Sequence, residues 1–196
     1  MTPSRPDLII NQMVERTRSG RARRTEILSA AEREFAGAGY AGGRIERIAS
    51  KARVNKQLLF HYFGSKDGLY AAAVQSLLAR LDPPQAGAAT PGEELRGLVS
   101  TLHAAVQAAP GVLGLLAEGQ GEAPASGADL LRAWRDRQLA RLRSAVSEGQ
   151  RRGFFRDDVE PAAVAEAALA FAVGAGALGL PVAPAAALLA EHCAWR

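Results

Sequence analysis

Apolar residues recur at helical spacing along most of the chain, and no stretch alternates apolar with polar residues as a half-buried strand would. Ile27, Leu28, Ala31 and Phe35 share one face of a helix predicted over 23–38, with Gly37 and Gly39 as stop signals. A second, short helix is predicted over 44–52, offering Ile45, Ile48, Ala49 and Ala52 to a core. A third starts near Asn55, a residue type suited to capping, and runs to about Tyr62. Ser65 is placed to cap a fourth, whose Leu69, Val74, Leu77, Leu78 and Leu81 continue an apolar stripe until Pro83 and Pro84 end it.

Residues 82–92, rich in Pro, Gly and Ala, read as a loop. Helical patterns follow over 93–109 and 112–118, then a Gly/Pro/Ser loop over 119–127. A long amphipathic helix is predicted over 128–152, with Leu130, Leu131, Trp134, Leu139, Leu142 and Val146 on its apolar face. Pro161 suits the first turn of the next helix, over 162–180, and Pro181 and Pro184 bracket the hinge into a last one ending near Trp195. The expected fold class is all-α, about nine helices: a basic N-terminal extension (1–22), a three-helix head (23–70) and a helical body (71–196). Residues 167–190 carry no charge and are long enough to cross a bilayer, but Ala and Gly dominate and two prolines interrupt them. Two buried helices are expected there, with no membrane partner.

Composition narrows the function classes. A chain of 196 residues that is 48% hydrophobic can bury a core in one or two domains. One cysteine supports neither a disulfide framework nor a Cys-rich metal site, and the first residues lack the apolar core of a secretory signal, so a cytoplasmic location is expected. The first 70 residues hold 13 Lys and Arg against seven Asp and Glu, a net of +6, whereas the remainder holds 11 against 13, a net of −2. A polyanion is therefore the partner to expect for the first third. Catalysis finds no support: His61, His103 and His192 stand apart, His192 and Cys193 point to different helix faces, and no phosphate-loop or nucleophile-elbow motif occurs. Asp157, Asp158 and Glu160 read as an acidic helix start. Neither an enzymatic activity nor a cofactor or metal is expected.

The second and third helices have the split surface of a helix-turn-helix unit. Ile48, Ala49, Ala52, Val54, Leu59 and Tyr62 are apolar or small where paired helices must touch, while Glu46, Arg47, Lys51, Lys56 and Gln57 stay outside. The segments RTEILSAAEREFAGAGY (24–40) and RIERIASKARVNKQLLFHYFGSKDGLY (44–70) resemble the N-terminal domain of the TetR/AcrR family of transcriptional regulators. The telling pieces are the Ile27-to-Phe35 pattern, Gly39-Tyr40, and Leu59-Phe60-His61-Tyr62-Phe63 followed by Ser65-Lys66. Four positions depart from the family pattern. Arg53 stands where glycine is usual at the turn; Gly43 and Arg44 replace hydroxyl residues that cap the second helix; Leu58 replaces a small or hydroxyl residue.

The resemblance implies a double-stranded DNA operator as partner, a homodimer built on the last helices, and a small effector bound in the body. Tyr62 and Lys66 match positions that clamp the DNA backbone, and Arg44 is within reach of a phosphate. Lys56 and Gln57 have the chemistry for guanine and adenine edges, Leu58 for a thymine methyl or a buried contact, His61 for a phosphate or a structural role, and Asn55 for a cap more than a base. The arginines at 16, 18, 21, 23 and 24 suit either a minor-groove arm or a disordered tail, and Leu8, Ile9, Ile10, Met13 and Val14 a short helical piece. Leu102, His103, Val106, Leu115, Leu116, Trp134 and Phe171 are equally ordinary core residues or walls for a hydrophobic or aromatic effector. The competing expectation is a helical small-molecule or protein-interaction module that has lost DNA binding.

Overall fold

In a computed structural model of the chain, residues 5–82, 90–108 and 124–181 are described. They form seven helices: α1 (Arg5–Gly42), α2 (Ile45–Lys51), α3 (Lys56–Phe63), α4 (Lys66–Leu81), α5 (Pro91–Ala108), α6 (Ala125–Arg151) and α7 (Pro161–Leu178). The all-helical class stands. Of the nine helices expected, those over 112–118 and at the C-terminal end fall outside the described residues.

The first helix is longer than its apolar stripe predicts. Its backbone is helical from Arg5, with Pro6 in the first turn where a proline is tolerated, so residues 5–22 form neither a separate short piece nor an irregular tail. Gly37 lies within the helix and Gly39 ends its regular course: φ 69° and ψ −178° there require a residue without a Cβ.

Helices α1 to α3 enclose a small core in which Ile27, Phe35, Ile48 and Leu59 are fully buried. Gly43 explains how α2 approaches so closely. A Cβ at that position would lie 2.6 Å from the Phe35 ring and 2.8 Å from the Gly39 carbonyl, so the hydroxyl residue expected from the family pattern has no room. Asn55 caps α3 by accepting from the Leu58 N–H at 2.8 Å, and Ser65 caps α4 by accepting from Gly68 at 3.0 Å, both as predicted.

Helix α4 links head to body. Tyr70, buried on α4, meets Phe35 and Tyr40 edge to face at 5.1 and 5.2 Å. On its other side Tyr70 packs on α6 where Gly127 leaves no side chain in the way. At the far end of α4, Asp82 accepts from Gln138 Nε2 of α6 at 2.6 Å and faces Arg137 at 3.7 Å. In the body, α5 and α7 come close at Gly176, where a Cβ would sit 2.9 Å from Val106. His103 Nε2 donates to the Leu180 carbonyl at 2.8 Å, which holds the end of α7 on α5. Helix α7 starts with Glu160 accepting from Ala163 at 2.8 Å and stops at Gly179 with φ 65°; Asp158, by contrast, pairs with Arg156. That ion pair holds the Asp158 carboxyl below its ordinary value.

Helix α7 is long and apolar enough to cross a membrane by length and composition, with mean hydropathy 1.6 and a third of that window buried. Its buried residues, Ala165, Ala168, Leu169, Ala172, Ala175 and Gly176, face α5 and α6, and Ala163, Ala167, Ala170, Ala177 and Leu178 are exposed.

Candidate nucleic-acid interface

The recognition surface rests on a buried carboxylate. Glu34 of α1, 3% exposed, accepts from Lys51 Nζ of α2 at 3.0 Å, faces Arg47 at 3.4 Å, and accepts from the Arg44 N–H at 3.4 Å. Arg44 caps α2 with no side-chain hydrogen bond, so Glu34 reaches across from α1 to the backbone N–H that a hydroxyl cap would leave free. Burial pushes the Glu34 carboxyl up, but the Lys51 hydrogen bond, the Arg44 N–H and the two cationic charges outweigh it and hold the group below its ordinary value. The orientation of α2 is thereby set from beneath.

The turn into α3 is made by Arg53 at φ 53°, the one non-glycine residue with positive φ among the described residues. A family glycine position occupied by arginine therefore keeps the glycine conformation, and the strain remains in the backbone. The turn is kept: the Arg53 N–H donates to the Ser50 carbonyl at 3.1 Å and Val54 to Ala49 at 3.0 Å.

Helix α3 buries Leu59 and leaves Lys56, Gln57, Phe60 and His61 exposed. At spacings of one, four and five residues these share one face. Of the predicted site residues, Arg44, Lys56, Gln57 and His61 are thus accessible on the head surface. Asn55 is also exposed, but its side-chain oxygen is spent on the cap. Leu58 is half-buried and turns toward α1, lining with Arg23, Glu26, Arg53 and Asn55 a cleft of about 420 Å³. Tyr62 is half-buried against the core, its hydroxyl lying beside Gly20 of α1. Lys66 places its ammonium 4.6 Å from the centre of the Tyr40 ring, and the Tyr40 hydroxyl donates to Asp67. That hydrogen bond, with burial, raises the Tyr40 phenol above its ordinary value. Arg24 stacks over Phe63 at 5.0 Å, tying the basic stretch of α1 to the end of α3.

Two features escaped the sequence pattern. Phe60, 40% exposed, is an apolar ring on the outward face of α3, where periodicity alone reads an aromatic residue as core. Its spacing from Lys56 and Gln57 is the signal that was present. Glu46 of α2 forms an ion pair with Lys56 of α3, across the turn.

A short polar-faced helix, set by a tight turn and a buried clamp on a three-helix head, with a helical body behind it, defines a helix-turn-helix DNA-binding regulator. The family model for bacterial regulatory proteins of the tetR family matches residues 27–73. The HTH-type transcriptional repressor NicS of Pseudomonas putida is 32% identical over 76% of this chain and 70% of its own length. The HTH-type transcriptional repressor SCO4008 of Streptomyces coelicolor is 35% identical over 72% of each chain. The same fold occurs in a TetR transcriptional regulator from Chloroflexus aurantiacus, with TM-score 0.73, 22% identity and 89% and 96% of the two chains covered. The chain belongs to the tetR family of bacterial transcriptional regulators, and its relatives regulate transcription rather than catalyse reactions.

Proposed function

We propose that the chain acts as a homodimeric, effector-responsive repressor that binds an inverted-repeat operator, with α3 of each head in the major groove. The observation that carries this reading is the outward face of α3: three polar side chains and one ring stand exposed on a helix whose opposite face is locked by Leu59. Lys56 and Gln57 read base edges, Arg44, Tyr62 and Lys66 hold phosphates at the margins, His61 adds a donor, and Asn55 and Leu58 position the helix rather than touch bases. The repressor sense comes from the two relatives named as repressors.

The dimer is assigned to the small-residue face of α7, where Ala163, Ala167, Ala170 and Ala177 allow close approach by a second copy. A two-fold pair then presents two recognition helices about 34–36 Å apart, one turn of DNA. For the effector, an apolar groove of about 580 Å³ between α6 and α7 has suitable size, with Leu131, Trp134, Leu139, Leu169 and Val173 as walls and Arg132, Arg135, Asp136 and Glu166 at its rim. Trp134 is the one earlier candidate wall that lines it. Leu102, His103 and Val106 are buried on α5, Phe171 is half-buried, and Leu115 and Leu116 fall outside the described residues. An effector in this groove acts on the heads through the α6 contacts to Tyr70 and Asp82 of α4, provided it binds one head spacing better than the other.

Selection of bound duplexes from a random pool tests the reading. A palindromic consensus supports function and symmetry together. No preference for any duplex at low salt overturns both.

A further inference from the structure

The acidic residue nearest the start of α3 needs an account. Glu46 lies in the first turn of α2, is 63% exposed, and pairs with Lys56, the first residue of α3, which is 52% exposed. Arg47 and Lys51, the two cations of α2, pair instead with Glu34 beneath. The Lys56 hydrogen bond and charge keep the Glu46 carboxyl below its ordinary value, so the group is an anion wherever the protein meets DNA. An exposed ion pair adds little to folding. A carboxylate facing a duplex is repelled by phosphates, and Lys56 cannot be given over to a phosphate without leaving that carboxylate bare. One partner answers both charges. The major-groove edge of a G·C pair offers two acceptors, guanine O6 and N7, beside one donor, the cytosine 4-amino group.

We propose that Glu46 and Lys56 form one composite reader of a G·C base pair, Lys56 donating to guanine and Glu46 accepting from cytosine, which makes Glu46 a specificity-determining residue. The pair fixes orientation as well as composition, because reversing G·C to C·G would set the carboxylate against acceptors and the ammonium against a donor. This rests on the reading of α3 as the major-groove helix.

The test uses the full-length protein and its own selected duplex. Wild type is expected to select one G·C pair at a fixed place in each half-site. Replacing that cytosine by a pyrimidinone lacking the 4-amino group should weaken wild-type binding about tenfold. Glu46→Ala should bind the normal and the amino-less duplex equally, prefer G·C at that position less strongly than wild type because only the Lys56 contact to guanine remains, and keep the rest of the consensus. Its thermal midpoint should stay at the wild-type value, since the pair is exposed. Glu46→Gln, which keeps the length of the side chain without its charge and adds a donor, should likewise narrow the preference for G·C over C·G, leaving the part that Lys56 supplies. If both variants keep the wild-type consensus and simply bind every duplex more tightly, Glu46 is a solvated charge and the proposal falls while the DNA-binding reading stands. If wild type itself shows no sequence preference, both fall.

Discussion

Glu34 of α1 and Lys51 of α2 are 3.0 Å apart, and only the lysine reaches solvent. This contact, with Arg47 and the Arg44 N–H on the same carboxylate, makes the seating of α2 depend on one buried charge. Lys51 and Arg47 are about half exposed, so solvent screens much of the attraction, and Glu34→Gln is expected to cost about 1–2 kcal/mol. The thermal midpoint should fall by about 2–8 °C, read by calorimetry.

The same carboxylate gives stability a pH dependence of definite sign. Glu34 is held below its ordinary value of 4.5, so the folded state binds fewer protons than the unfolded one as pH approaches that range. Its contribution is complete above the ordinary value and is lost as pH falls through the lower folded value. Denaturant midpoints of wild type should therefore drop below about pH 4.5 more steeply than those of Glu34→Gln. Parallel curves would refute the role.

Arg53 holds a positive φ of 53°, a conformation that its Cβ makes costly. Arg53→Gly should stabilise the chain by up to about 1 kcal/mol, after allowing for the greater freedom of glycine in the unfolded state. Arg53→Ala keeps the strained Cβ and should give no gain. Comparing the two midpoints separates backbone strain from loss of charge.

Local features were legible in the chain and long-range ones were not. Asn55 and Ser65 were read correctly because a cap bonds an N–H three residues on, so its partner is fixed by spacing, whereas Glu160, read only as part of an acidic helix start, turns out to be the cap of α7. Glu34 looked like any surface acid, since its partners lie 10 to 17 residues away on another helix. Gly43 read as a missing cap, whereas the reason for glycine is the Phe35 ring folded against it. The exposure of Phe60 and the pairing of Glu46 with Lys56 depend on how α2 crosses α3, which periodicity along one helix does not encode.

Lys66 and Gln57 should differ in kind when each is replaced by alanine. With about four phosphate contacts per head, a dimer makes about eight, and log affinity should fall against log salt with a slope near −7. Lys66→Ala should weaken all duplexes alike and flatten that slope by about two, one for each head. Gln57→Ala should leave the slope and relax the preference at one position of each half-site. An equal loss on every sequence for Gln57→Ala would remove it from the base-reading face.

Phe60 offers a sharper chemical test of which way α3 faces. A phenyl ring has no hydrogen bond to offer a base, and in the major groove its one sequence-dependent partner is the 5-methyl group of thymine. The ring stands on the same face as Lys56 and Gln57 and is 40% exposed, whereas Leu58, the apolar candidate from the sequence, is half-buried toward α1. If α3 lies in the groove with this face inward, replacing single thymines of the selected operator by uracil should weaken wild-type binding about three- to tenfold at one position per half-site. Phe60→Ala should bind the thymine and uracil duplexes equally at that position, while Leu58→Ala should still distinguish them. A uracil effect that survives in Phe60→Ala and disappears in Leu58→Ala would mean that α3 is rolled about its axis relative to this placement, with the cleft side toward the bases.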